Sequence, residues 1–363
     1  ETTQSLYYYC KFDAGGVNNY PVVLSWDTRD FPAGSQLYVR TILNGELQQA
    51  VNMREATPGS NTTMSFTIND AREKEFLIEY TLPTVVDFVD ANNKPIIKKG
   101  WNLLSLPVRP INAEWNNVYP NAINIPYYFS QNQYQSPSNG ILKPGIGYYV
   151  KYSDVVDKKF AGTYMYNISV TNGSNDEVRL FPGNGSDGGW NSIGALSVPV
   201  NVNNISFDDF QGNIPDVSYT RSYGVWGYTT DRGYEEVSQL LPGLGYWIKV
   251  NTSGYLHLEY PKQNLTVAPS TKNDVLASST KLTVRDNAQH VASVYTSNDA
   301  NLNVKSFEMP PAPLTDMFDV RYLSTNLYVT NENESIIRVQ GVEYPVSIEV
   351  ANSNADLTFT DAA

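Results

Sequence analysis

Gly100-Trp101-Asn102-Leu103-Leu104-Ser105-Leu106-Pro107-Val108 returns as Gly189-Trp190-Asn191-Ser192-Ile193-Gly194-Ala195-Leu196-Ser197-Val198-Pro199-Val200. A second landmark follows each. Leu142-Lys143-Pro144-Gly145-Ile146-Gly147-Tyr148-Tyr149-Val150-Lys151 matches Leu241-Pro242-Gly243-Leu244-Gly245-Tyr246-Trp247-Ile248-Lys249. The tryptophans lie 89 residues apart and the Pro-Gly pairs 98, so the second copy holds nine more residues between its landmarks. Those extra residues fit surface loops, where insertions are tolerated. Recurrence at a fixed period outranks any local signal in a fold reading. In each copy Gly-Trp-Asn opens a strand whose Trp offers a large face for burial. Pro-Gly-x-Gly makes a tight turn, because Pro presets φ and Gly permits positive φ. The Tyr-aromatic-aliphatic-Lys stretch after it alternates faces as a strand does.

Outward from the duplication the patterning stays β. Pro21–Trp26, Leu37–Leu43, Gln48–Met53, Thr63–Ile68 and Phe76–Leu82 read as short strands, and Asn44-Gly45 is a strong hairpin signal. Beyond the repeats, Lys281–Arg285, Ile336–Gln340 and Tyr344–Val350 alternate, with Pro345 pointing to an edge strand or a bulge. Phe307–Pro313 is too rich in Pro for a ladder and reads as an extended crossing segment. Asn112–Asn117 and Asn204–Phe210 have room for single helical turns, and no long helix is expected. The reading is all-β: tandem β-sandwich or β-rich modules around a central internal duplication. It comprises a β-sandwich at 1–83, repeat copies at 84–183 and 184–262, a linker at 263–280 and a C-terminal sandwich at 281–363.

Composition narrows the function. A net charge of −12 on 363 residues disfavours nucleic acid and anionic membrane surfaces, which need basic patches. No stretch approaches the roughly 18 apolar residues that cross a bilayer. The single Cys10, within Leu6-Tyr7-Tyr8-Tyr9-Cys10, is expected as a buried thiol on a strand, the alternative being an intermolecular bridge. With no signal peptide at Glu1, the chain reads as a trimmed piece of a longer precursor.

The doubled repeat, followed by Phe307–Pro313, Met317–Tyr322 and Glu343–Val350, resembles the C-terminal part of bacterial cell-surface proteins exported by the type IX secretion system. The resemblance covers residues 84–363. It implies export and surface display, with no particular chemistry. The short sorting domain that usually follows in such proteins is not in this sequence.

Catalytic patterns are sparse. The histidines are His257 and His290 alone, and no G-x-S-x-G, P-loop or H-E-x-x-H occurs. The acidic pairs Asp208-Asp209 and Glu235-Glu236 are adjacent on strands and so point to opposite faces. No enzyme, catalytic residue, cofactor or resident metal is therefore expected. Asn172–Glu177 and Asn184–Asp187 have oxygen-rich calcium chemistry without the EF-hand spacing and leave a structural calcium as the open alternative. Eight N-x-S/T sequons, among them Asn61, Asn167, Asn204 and Asn333, accord with a chain rich in Asn, Ser and Thr.

Two functions remain. One is a secreted, extracellular structural or adhesive surface protein that associates with itself or with other surface proteins, building a filament or layer through exposed edge strands. The alternative is the carbohydrate-binding accessory region of a larger secreted enzyme, with Tyr127, Tyr128, Tyr134, Trp226, Tyr228 and Tyr234 as platforms for glycans. The same six rings also suit the cores of the two repeats.

Overall fold

In a computed structural model, the structure describes residues 5–28, 31, 36–48, 50–53, 57–58, 63–81, 84–90, 92–168, 177–183, 189–208, 224–259, 272–323, 325–332 and 335–351. Its regular structure is mostly short strands in many small sheets, with β-sandwich-like modules and no barrel among the described residues. Among the described residues no helix is long and apolar enough to cross a membrane.

The N-terminal module pairs β1 (Ser5–Lys11), β5 (Glu75–Thr81) and β3 (Gln36–Leu43) in one antiparallel sheet, and β2 (Val22–Asp27) with β4 (Thr63–Ile68) in a second. Asn44 and Gly45 both take positive φ and turn β3 into the short strand Glu46–Leu47, as Asn-Gly requires. Leu37, Val39 and Met53 form the core, with Trp26, Phe66 and Ile78 packed against them.

Copy 1 holds β6 (Thr84–Asp87), β7 (Gly100–Leu104), α1 (Trp115–Val118), β8 (Tyr128–Ser130), β9 (Gln133–Gln135), β10 (Tyr148–Tyr152) and β11 (Lys159–Thr163). Copy 2 holds β12 (Asn167–Ile168), β13 (Arg179–Leu180), β14 (Gly189–Ile193), β15 (Ser206–Asp208), β16 (Trp226–Thr229), β17 (Gly233–Glu236), β18 (Tyr246–Val250) and β19 (Gly254–Glu259). The landmark strands pair in the same register in both copies, Trp101 opposite Lys151 and Trp190 opposite Lys249.

The third residue of each Gly-Trp-Asn explains itself. The Asn102 amide donates to the Lys98 and Gly100 carbonyls and its Oδ1 accepts from the Lys98 N–H. Asn191 does the same with Phe181 and Gly189. Each fastens the chain entering the strand by meeting backbone groups that the ladder leaves over. Likewise the Tyr148 hydroxyl accepts from Lys143 N–H, and the Tyr246 hydroxyl from Leu241 N–H.

The Pro-Gly-x-Gly turns also join the copies. Gly145 and Gly243 take the positive φ of the turn. Ser105 N–H donates to the Gly243 carbonyl, and Gly194 N–H to the Gly145 carbonyl, two bonds at equivalent places in the two copies. The second glycines meet backbone to backbone: a Cβ on Gly147 would lie 2.6 Å from the Ile193 carbonyl oxygen, and one on Gly245 would lie 3.0 Å from Gly147 Cα.

The sheets move one boundary. β12 and β13 pair with β19, so residues 167–168 and 179–180, read from the sequence as part of copy 1, sit in a sheet of copy 2. Spacing between landmarks gives no hint of which copy an intervening strand joins. Within the expected linker, residues 263–271 lie outside the described set, while Lys272–Ser278 forms α2, the longest described helix.

The C-terminal module has the sheet order β23 (Val329–Thr330), β21 (Val291–Thr296), β20 (Thr280–Arg285), β25 (Ser347–Ala351), and a two-stranded sheet of β22 (Asp319–Tyr322) with β24 (Ile337–Gln340). Pro345 lies before β25 rather than in it, and β25 is an edge among the described strands.

Candidate functional site

The landmark tryptophans and lysines work together against the C-terminal module. Trp101 and Lys151 face each other across β7 and β10, the Lys151 ammonium 5.3 Å above the indole ring. Trp101 Nε1 donates to Asp316 Oδ1 at 2.7 Å while Lys151 Nζ binds Asp316 Oδ2. Copy 2 repeats the arrangement with a different carboxylate: Lys249 Nζ lies 5.9 Å from the Trp190 ring centroid and 2.6 Å from Glu308 Oε2, and Trp190 Nε1 donates to Glu308 Oε1 at 3.1 Å. Each repeat therefore holds one carboxylate between an ammonium and an indole N–H. The pairs differ in burial, since the Lys249 and Glu308 side chains are 3% and 24% exposed, against 31% and 49% for Lys151 and Asp316. Burial pushes the Asp316 carboxyl up, but the Lys151 ammonium and Trp101 N–H outweigh it and hold the group below the usual carboxylate range.

Between the clamps lies one aromatic core shared by both copies and the C-terminal module. Trp247 is its centre, with Phe129 at 4.9 Å and Tyr149, Trp190 and Tyr234 just beyond 6 Å between ring centroids. Trp247 Nε1 donates to the Tyr149 hydroxyl, which shares a 2.7 Å hydrogen bond with the Tyr234 hydroxyl. Burial raises the Tyr149 and Tyr234 hydroxyls far above the ordinary phenol range. Arg321, fully buried, forms a bidentate pair with Asp319, donates to the Pro310 carbonyl at 2.7 Å and sits 5.7 Å from the Tyr234 ring. The Pro-rich segment crosses this core as expected, although Phe307 ends a 3-10 turn (Val304–Phe307).

These positions settle where the six candidate sugar platforms stand. Trp226, Tyr228 and Tyr234 are buried, Trp226 edge-on to Tyr328 and Tyr228 edge-on to Tyr234. Tyr127 and Tyr134 are half-buried against the same core, and Tyr128 packs on the core of copy 1 with its hydroxyl on Gln135. The faces of the buried three are occupied by protein, so a sugar ring would have to displace the C-terminal module to stack on them.

The remaining candidates are spread apart. His257 is a half-buried strand residue 3.6 Å from Glu259, and His290 bonds Asp286 and stacks on Phe318. Glu235 pairs with Arg232 and Glu236 with Lys272, on opposite faces of β17. Residues 172–176 and 184–187, which carry most of the two oxygen-rich loops, lie outside the described set, as does Asp209. Among the described residues no three His, Cys, Asp or Glu gather as metal ligands. A cavity of about 660 Å³ opens where α2 meets β17 and β21, lined in part by Trp226, Lys272, Tyr295 and Tyr328. Burial lowers the Lys272 ammonium, although Glu236 stands 3.3 Å away as its counterion.

Sequence reasoning missed Lys151, Lys249, Glu308, Asp316 and Arg321. A signal existed for the lysines, which stand at the same place in both copies after the Tyr-aromatic-aliphatic stretch. It also misjudged Cys10, which is half-exposed rather than buried, because among the described strands β1 stands at an open edge. Comparison with known protein families, curated proteins and solved structures finds no match for this chain.

Proposed function

We propose that this chain is a non-enzymatic structural or adhesive protein of the bacterial cell surface, exported by a type IX route and able to assemble with itself into an extracellular filament or layer. One observation carries the reading. β1 presents Leu6, Tyr7, Tyr8 and Tyr9 to solvent along an edge that is open among the described strands. Large apolar side chains exposed on both faces of one strand mark an interaction site, and an open edge supplies a row of backbone donors and acceptors for another strand. The central modules add support of a different sort. Their aromatic rings and charged landmarks are spent on fastening modules to each other, which suits a stiff displayed rod. The test is concentration-dependent light scattering on the purified chain, followed by microscopy of material from the cell surface. Growth of regular particles supports the reading, and a strictly monomeric protein at high concentration overturns it.

A further inference from the structure

β1 and β25, in the first and last modules, share an unusual feature. β1 pairs with β5 alone among the described strands, through a ladder running unbroken from Ser5 opposite Thr81 to Lys11 opposite Glu75. Its inner-face positions Leu6, Tyr8 and Cys10 line up with Tyr80, Ile78 and Phe76, which pack on the module's core. Yet Tyr8 is 54% exposed, and on the outer face Tyr7 and Tyr9 are 53% and 70% exposed. β25 likewise pairs with β20 alone, placing Ile348 and Val350 opposite the buried Val284 and Leu282. Both are exposed all the same. Each sheet thus extends one strand beyond the layer that covers its inner face. Proteins usually protect such edges with an inward-pointing charge, a Pro or a bulge, and neither strand carries one.

We propose that β1 of one copy adds antiparallel to β25 of the next, merging the two inner faces into one continuous sheet; the inference rests on the self-assembly reading above and names its contact. The edges complement each other. Their charged side chains are Lys11 on β1 and Glu349 on β25, of opposite sign and both on outer faces. In the register that sets Tyr8 against Val350 and Cys10 against Ile348, Lys11 lies diagonal to Glu349, and Tyr9 meets Glu349 rather than another ring. Pairing β25 with a second β25 about its centre would instead set Glu349 against Glu349, and like charges directly opposite destabilise a ladder. Pairing β1 with β1 would leave both β25 edges open. Because β1 and β25 are different surfaces, their contact is heterologous and adds copies head to tail, growing an open filament unless its rotation closes a ring.

The test uses Cys10, the only native thiol. In the full chain carrying Ile348→Cys, the new thiol lies opposite Cys10 of the neighbouring copy, within the span of a disulfide. Mild oxidation is expected to give a reducible ladder of trimers and larger species, where the parent chain, with one thiol, gives dimers at most. The double variant Cys10→Ser/Ile348→Cys loses the ladder. Tyr8→Lys, a charge placed on the exposed inner edge, is expected to abolish particle growth in light scattering without moving the unfolding midpoint. Particles that grow without a ladder, or a Tyr8→Lys variant that grows like the parent, overturn this contact and leave self-assembly standing. No growth in the parent removes both.

Discussion

The two Trp-Lys clamps offer a matched comparison within one molecule. Glu308→Ala takes the carboxylate from Lys249, whose side chain is almost fully buried, and from the Trp190 N–H. Breaking a buried pair by removing one partner costs about 3 kcal/mol or more, because the remaining charge is left desolvated. Asp316→Ala makes the same chemical change in copy 1, but Lys151 is 31% exposed and water can replace the lost oxygen atoms. Exposed pairs contribute less than about 1 kcal/mol. The expected order is therefore Glu308→Ala far more damaging than Asp316→Ala, by about 2 kcal/mol, or roughly thirtyfold in the folded-to-unfolded ratio. Urea unfolding followed by tryptophan fluorescence measures both, since Trp190 and Trp101 lie in the clamps themselves. The double change Lys249→Met with Glu308→Leu, which removes both charges, should recover most of the loss, since hydrophobic replacement of a buried pair is often neutral. Equal costs for the two alanine variants, or a cost below about 1 kcal/mol for Glu308→Ala, would refute burial as the controlling quantity.

Other outcomes follow from the same geometry. Gly147→Ala drives a methyl against the Ile193 carbonyl, a backbone atom that cannot swing aside; a loss of about 1–3 kcal/mol in urea unfolding is expected, as for other overpacked sites. Tyr149→Phe takes the hydrogen-bond partner from Trp247 Nε1 and from the Tyr234 hydroxyl and should cost about 1–3 kcal/mol; a silent variant contradicts the shared core. Burial raises the Tyr134 hydroxyl to about 12. Its raised value means stability that is complete below the ordinary phenol range near 10 and lost as pH rises towards 12, so ultraviolet titration should show tyrosinate appearing late and together with unfolding. Asp316 titrates in the opposite direction: its lowered value contributes stability above the ordinary 3.8 that fades as pH falls below it, and Asp316→Asn should flatten the acid limb of a stability–pH curve.

Much of the fold is legible in the sequence because its signals are local. Thr63–Ile68 alternates and forms β4 over the same residues, and Asn44-Gly45 turns as that dipeptide must. The duplication was legible too, since equivalent residues do equivalent work: Asn102 and Asn191, Tyr148 and Tyr246. What pairs with what across modules was not. Glu308 and Asp316 lie in segments with no internal likeness to each other, and nothing local marks either as the acceptor for a distant Trp and Lys. The same limit misplaced residues 167–168 and 179–180. The aromatic candidates show why composition cannot separate a binding platform from a core. Trp226 and Tyr228 have the residue types of both, and only the C-terminal module lying over them decides that their faces are covered. Cys10 fails in reverse: its apolar run reads as interior, yet β1 is an edge among the described strands and its Leu6 and Tyr8 are exposed.

The most direct test of the account is electron microscopy of the concentrated full chain at physiological salt, beside the Tyr8→Lys variant. Filaments of a regular repeat in the parent, lost in the variant, are the predicted result. Dispersed single particles in the parent, at concentrations where the variant looks no different, would contradict it.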